Sequence, residues 1–200
     1  MELSCNSTME FSNLKTTVDL VELSKGFGYT EAVSPLNLSI KKGELFGFLG
    51  PNGAGKTTTI KMMTGLLEPT RGKVEICGID MWKEPLKAKK HIAYIPDHPH
   101  IYQKLTGWEY LRFIGSVYQV PKQSFLKRAM YYSELLELGE SMDYLIETYS
   151  LGMKQKLILS GALVHDPHVI ILDEPTVGLD PDSTIKLKQL SRKLCERCTT

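Results

Sequence analysis

Apolar positions follow two different periods along this chain. Thr17 to Leu23 (TVDLVEL) and Leu36 to Ile40 (LNLSI) alternate with polar positions and carry β-branched residues, so both predict strands. Lys42-Gly43 predicts a turn, and the short apolar run Glu44 to Leu49 (ELFGFL) predicts a further strand. Thr57 to Leu67 has helical spacing, with Ile60, Met63 and Leu67 on one face. Gly72 to Ile76 (GKVEI) and Ile92 to Ile95 (IAYI) predict short strands. From Leu105 to about Leu159 the period becomes helical, as in LTGWEYLRFIGSVYQV and FLKRAMYYSELLEL, which predicts a helical insertion. Val169 to Leu172 (VIIL) is continuously apolar, as in a strand buried on both faces of a parallel sheet. Strand, loop, helix and strand in this order predict an α/β fold.

Between the run at 44–49 and the helix lies a segment too poor in side chains to pack: Gly50, Pro51, Asn52, Gly53, Ala54, Gly55, Lys56, Thr57 and Thr58. It satisfies G-x-x-x-x-G-K-T, the phosphate-binding P-loop pattern. Such a loop turns successive N–H groups toward one point, and the next helix adds its N-terminal dipole there. Lys56 can then reach the β- and γ-phosphates, and Thr57 can offer its hydroxyl to Mg²⁺. A chance match in a chain of this size is roughly one in a hundred. The pattern alone does not separate GTPases, kinases and motor ATPases.

A second element narrows the choice. The strand Val169 to Leu172 runs into Asp173 and Glu174, followed by Pro175 and then Gly178-Leu179-Asp180-Pro181. Asp173 at the strand's end can hold Mg²⁺ through water, as a Walker B acid does. Glu174 can polarise an attacking water. The plain alternative is an acidic turn after a core strand.

With these motifs in place, the chain resembles the ATP-binding domain of ABC transporters from about Val18 onward. A third stretch, Tyr149-Ser150-Leu151-Gly152-Met153-Lys154-Gln155-Lys156, lies where that family carries its LSGGQ-type signature. Ser150 and Gly152 match; Leu151 and Met153 depart from the commonest form. The variant is similar to that of exporters with an ABC-2-like membrane part, including peptide and antibiotic export systems. The resemblance implies a P-loop ATPase fold with an antiparallel β subdomain and a helical subdomain over about 98–160. It implies ATP and Mg²⁺ as ligands, with Thr57, Asp97 and Asp173 as metal ligands and Glu174 as the catalytic residue. Asp97 stands where the family usually has a Q-loop glutamine. The adenine-stacking aromatic aligns best with Phe27, with Tyr29 as the near alternative. The signature, together with Asp180 of the D-loop, is implied to meet the ATP held by a second ATP-binding subunit, identical or not, in a head-to-tail dimer. The segment HPHIYQKLTGWEYL is implied to line the groove for a membrane-spanning subunit, with Leu105, Leu111 and Phe113 assigned instead to helix core. Such a subunit sits at the cytoplasmic face of the membrane.

The composition adds exclusions. Lys plus Arg is 24 and Asp plus Glu is 23, which gives no basic excess for nucleic-acid binding. No apolar run reaches the roughly 20 residues that span a bilayer. Cys5, Cys77, Cys195 and Cys198 are sparse, as in a reducing cytoplasm, and the single C-x-x-C lacks a second pair for zinc. His91, His98, His100, His165 and His168 are assigned to surface or turns rather than to catalysis. Residues 1–16 read as a loose leader and 17–200 as one domain. The strand carrying the family's switch histidine is expected beyond Thr200, so the chain reads as a fragment of marginal stability, with a Tm below roughly 60 °C. Two other readings stay open: a soluble ABC ATPase of the translation-factor or DNA-repair type, and an ATP-binding module without turnover.

Overall fold

The computed structural model describes residues 15–97, 100–174, 181–196 and 199–200; in the last helix, nothing is described of the side chains at 181–183 and 186. The chain forms two compact units. The first comprises Met1–Ile92, His168–Ile171 and Gln189–Thr200, and the second Ala93–Pro167 and Leu172–Lys188.

The first unit is built on an antiparallel sheet. β1 (Thr16–Phe27) pairs with β2 (Thr30–Lys41) on one side and β3 (Arg71–Ile76) on the other, and β4 (Ile79–Asp80) flanks β3. Alternation places Val18, Leu20, Val74 and Ile76 inside, and Leu23 is buried as well after an irregularity in the β1 register between Leu20 and Leu23. α1 (Lys56–Met63) contributes Ile60, Met62 and Met63 to the buried set. α1 is shorter than the sequence pattern predicts and Leu67 lies beyond it. The reason is Gly65, which adopts φ +66° while Leu66 N–H and Leu67 N–H both return to Lys61 O, at 2.9 and 3.0 Å. Left-handed glycine after the last turn is the usual helix stop.

The run Glu44–Leu49 is a correction. It forms no strand: Glu44 N–H returns to Lys41 O at 3.1 Å, and from Leu45 to Leu49 no ladder partner exists among the described residues. Leu45 and Leu49 are 65% and 93% exposed. Apolar character predicts burial, but a strand also needs a neighbouring strand to accept its N–H groups. The sequence run does not specify that neighbour.

α2 (Pro85–Lys89) precedes β5 (Ile92–Ile95), which pairs with β6 (Val169–Leu172). Val169 N–H donates to His91 O and Asp173 N–H to Ile95 O, both at 2.9 Å. Donors and acceptors advance together, so the pairing is parallel. On its other side Thr200 N–H donates to His168 O and Ile170 N–H to Thr200 O, at 2.9 and 2.7 Å. Neighbours on both sides account for the continuous apolar run VIIL.

The second unit is mainly helical: α3 (Gly107–Val117), α4 (Lys122–Leu135) and α5 (Leu151–Val164), with α6 (Pro181–Glu196) shared between the units. α3 starts at a capping box. Thr106 Oγ1 accepts from Glu109 N–H, and Glu109 Oε2 accepts from Thr106 N–H. Leu111 is fully buried, as the sequence predicts, and Leu105 is half-buried. Phe113 departs from its core assignment. It is 42% exposed, with its ring edge against Tyr102 at 5.4 Å.

Arg128 on α4 ties down the end of α5. Its guanidinium donates to Val164 O at 3.3 Å and pairs with Asp166 at 2.5 Å, with the arginine side chain 15% exposed. Arg128→Ala is expected to cost about 1.5–3 kcal/mol, the range for hydrogen bonds to charged groups. Arg128→Lys should recover only part, because an ammonium cannot hold both acceptors as a fork does. Equilibrium urea unfolding of the two variants measures this.

Candidate functional site

In the first unit the loop Gly50–Gly55 leads into α1. Gly55 is the residue that makes this geometry possible. It sits at φ +83°, and a Cβ there would lie 2.6 Å from Ala32 O and 2.9 Å from Val33 Cγ2 on β2. Any side chain therefore collides with a strand backbone that cannot swing aside. Within the loop only Ala54 N–H is used, by Pro51 O at 3.3 Å. The N–H groups of Asn52, Gly53 and Gly55 find no acceptor among the described residues. Lys56 Nζ lies across the loop and donates to Gly50 O and Pro51 O, at 2.7 and 2.8 Å. Thr57 is exposed and Thr58 half-buried at the start of α1. Thr59, which sequence reasoning did not single out, is the buried anchor, its hydroxyl donating to Gly55 O at 2.9 Å. Free N–H groups, a helix start and a lysine at one place make a cradle for an anion with several oxygens.

The two candidate aromatics stand beside this cradle. β1 and β2 turn over at Gly28 and Tyr29, where Phe27 pairs with Thr30. Gly55 meets β2 at Ala32 and Val33, so the hairpin end stands only two residues, or about 7 Å, further along the strand. Phe27 is 52% exposed, whereas Tyr29 projects fully into solvent.

The second unit holds the carboxylates. Asp173 extends the β6 ladder by one residue and is only 8% exposed. Glu174 leaves the ladder at φ +49°, an unusual backbone for a non-glycine residue, and is exposed. Its carboxylate has no partner among the described residues. The backbone thus separates two adjacent acids, one turned in and one turned out. Asp97 lies just beyond β5 and is exposed. Tyr94 relates it to Asp173. The phenol is raised above its ordinary pKa by burial first, then by the Asp173 and Asp97 carboxylates. Tyr94 escaped the sequence reading because it sits inside a strand that looks like core.

At the start of α5, Ser150 is the N-cap, and its Oγ accepts from Met153 N–H at 3.3 Å. Leu151 is 60% exposed, and Gly152 has no atom near enough to touch a Cβ. Beyond this first turn the helix is buried through Leu157, Ile158, Leu159, Leu163 and Val164. The helix is thus rooted in the core and its N-terminal turn is presented outward. Asp180 lies outside the described residues. The half-buried His91 and His168 rings meet through their Nδ1 atoms at 3.2 Å, and His165 stacks on Tyr118, so these three histidines pack together with neighbours.

The ABC transporter family profile matches residues 33–177. The ABC transporter ATP-binding protein YhcH of Bacillus subtilis is 43% identical over 182 residues, covering 90% of this chain and 58% of its own length. The bacitracin transport ATP-binding protein BcrA of Bacillus licheniformis is 37% identical over 92% of this chain, which spans 59% of that protein. Among solved structures, an ATP-binding subunit of an ABC transporter superposes with a TM-score of 0.85 at 31% identity, covering 91% of this chain and 76% of that one. No helix among the described residues is long and apolar enough to cross a membrane. From motif, fold and relatives alike, the chain belongs to the ABC transporter ATP-binding family, with a P-loop ATPase fold.

Proposed function

We propose that this chain is the ATP-binding and ATP-hydrolysing part of a membrane exporter, working as a head-to-tail pair with a second ATP-binding subunit. The observation that carries the reading is the loop at Gly50–Lys56, with its free N–H groups and a glycine that no other residue can replace. In this reading the loop N–H groups and Lys56 hold the β- and γ-phosphates, and Phe27 receives the base. Thr57, Asp173 and Asp97 offer the hard oxygen ligands that suit Mg²⁺, which neutralises phosphate charge when bound. Glu174, with an exposed carboxylate that no described residue engages, polarises the attacking water. Ser150, Leu151, Gly152 and Met153 present a helix N-terminus to the phosphate held by the opposite subunit, with Asp180 at the same interface. Nucleic acid has no part in this reading.

Export is supported by the kind of relative matched, BcrA being named for bacitracin transport. The membrane-spanning subunit would place the protein at the cytoplasmic face of the membrane. The test is phosphate release by the native full-length protein together with membrane fractionation. Magnesium-dependent ATP hydrolysis and recovery in the membrane fraction are expected. Recovery with ribosomes or DNA, or tight ATP binding with no phosphate release, would replace this reading with one of the two open alternatives.

A further inference from the structure

Phe27 does not reach its position unaided. Lys25 Nζ lies 5.3 Å from the centre of its ring, over one face. The same ammonium donates to Glu68 O at 2.6 Å. Glu68 belongs to the connection between α1 and β3, and that connection grips the end of β1 twice more. Thr70 N–H donates to Ser24 O at 2.9 Å, and Gly26 N–H donates to Thr70 Oγ1 at 3.0 Å. The segment leaving the phosphate-loop helix is thus bonded to three consecutive residues just before Phe27.

We infer that Lys25 is a positioning residue for nucleotide binding, holding Phe27 so that its uncovered face receives the base. The inference rests on the nucleotide reading of the loop. A half-exposed phenylalanine near a hairpin end has several rotamers available, and fixing it on binding costs affinity. An ammonium anchored to a backbone carbonyl and seated on one face removes that freedom beforehand, while the ring stays 52% exposed. Its charge also polarises the ring toward an electron-rich partner on the far side. Tyr29, fully exposed, receives no such support among the described residues.

The test compares ATP with inorganic tripolyphosphate, which has the phosphates but no base, by calorimetry on the native full-length protein. Lys25→Met should weaken ATP binding by about 3- to 30-fold, the span of cation–π energies. It should leave tripolyphosphate binding unchanged. Lys25→Arg should restore most of the ATP affinity, since a guanidinium also sits on an aromatic face. In a Phe27→Leu background, Lys25→Met should add no further loss, because the two residues act as one unit. Equal loss of ATP and tripolyphosphate, no loss of either, or a full additional loss without Phe27 would each overturn the inference. Failure of the unsubstituted protein to bind ATP or tripolyphosphate would instead remove the nucleotide reading itself, and this inference with it.

Discussion

Glu174→Gln should lower ATP turnover by about 10²- to 10⁴-fold, the usual contribution of a positioned general base. ATP affinity should stay within a few-fold of the parent. The substitution keeps shape and hydrogen-bonding reach but removes the charge that draws a proton from water. Two features make Glu174 rather than Asp173 the sensitive acid for this step. Asp173 is buried and its backbone completes the β6 ladder, which suits a fixed metal ligand. Glu174 departs at φ +49° with a carboxylate that no described residue engages. Residues held in that backbone region cost roughly 1–3 kcal/mol and persist where surrounding structure over-determines them. Single-turnover phosphate release and ATP titration separate the two effects. Turnover near the parent rate in Glu174→Gln would remove it from the chemistry.

Gly55→Ala should nearly abolish ATP binding and cost about 2–4 kcal/mol of stability, combining left-handed strain with a backbone clash. The cause is steric. Both Gly53 and Gly55 sit at φ +83°, but a Cβ at Gly53 meets nothing within 4 Å, whereas one at Gly55 lies 2.6 Å from Ala32 O. Gly53→Ala should therefore cost only the conformational part, about 1–2 kcal/mol. Thermal or urea unfolding of the pair isolates the clash, and ATP titration shows whether moving β2 away from the loop disturbs the cradle. Equal stability losses in the two variants would mean that the contact with β2 carries no weight.

What was legible in the sequence followed from chemistry fixed to short spacings. The phosphate loop, the acids after VIIL and the serine at the start of α5 each need particular residues at particular offsets, and each stands at the element boundary its spacing implies. What was not legible depends on neighbours far along the chain. Glu44–Leu49 reads as a strand by apolarity, yet no described strand accepts its N–H groups. Phe113 has the period of a core residue but falls on the outer side of α3. Leu67 matches the helical face, and Gly65 ends the helix before it. The surroundings of Tyr94 and Lys25 escaped for the same reason. A tyrosine in a strand and a lysine near a turn are ordinary until the fold half-buries one beside the acids' end of the strands and sets an aromatic face beneath the other.

The central claim is that ATP joins two such subunits through the loop of one and the Ser150 helix start of the other. The most direct measurement is the molar mass of full-length Glu174→Gln by light scattering with saturating ATP, with ADP, and without nucleotide. A doubling of mass in ATP alone, lost when Ser150→Ala is added, is the expected result. A single unchanged mass in all three conditions would contradict the claim.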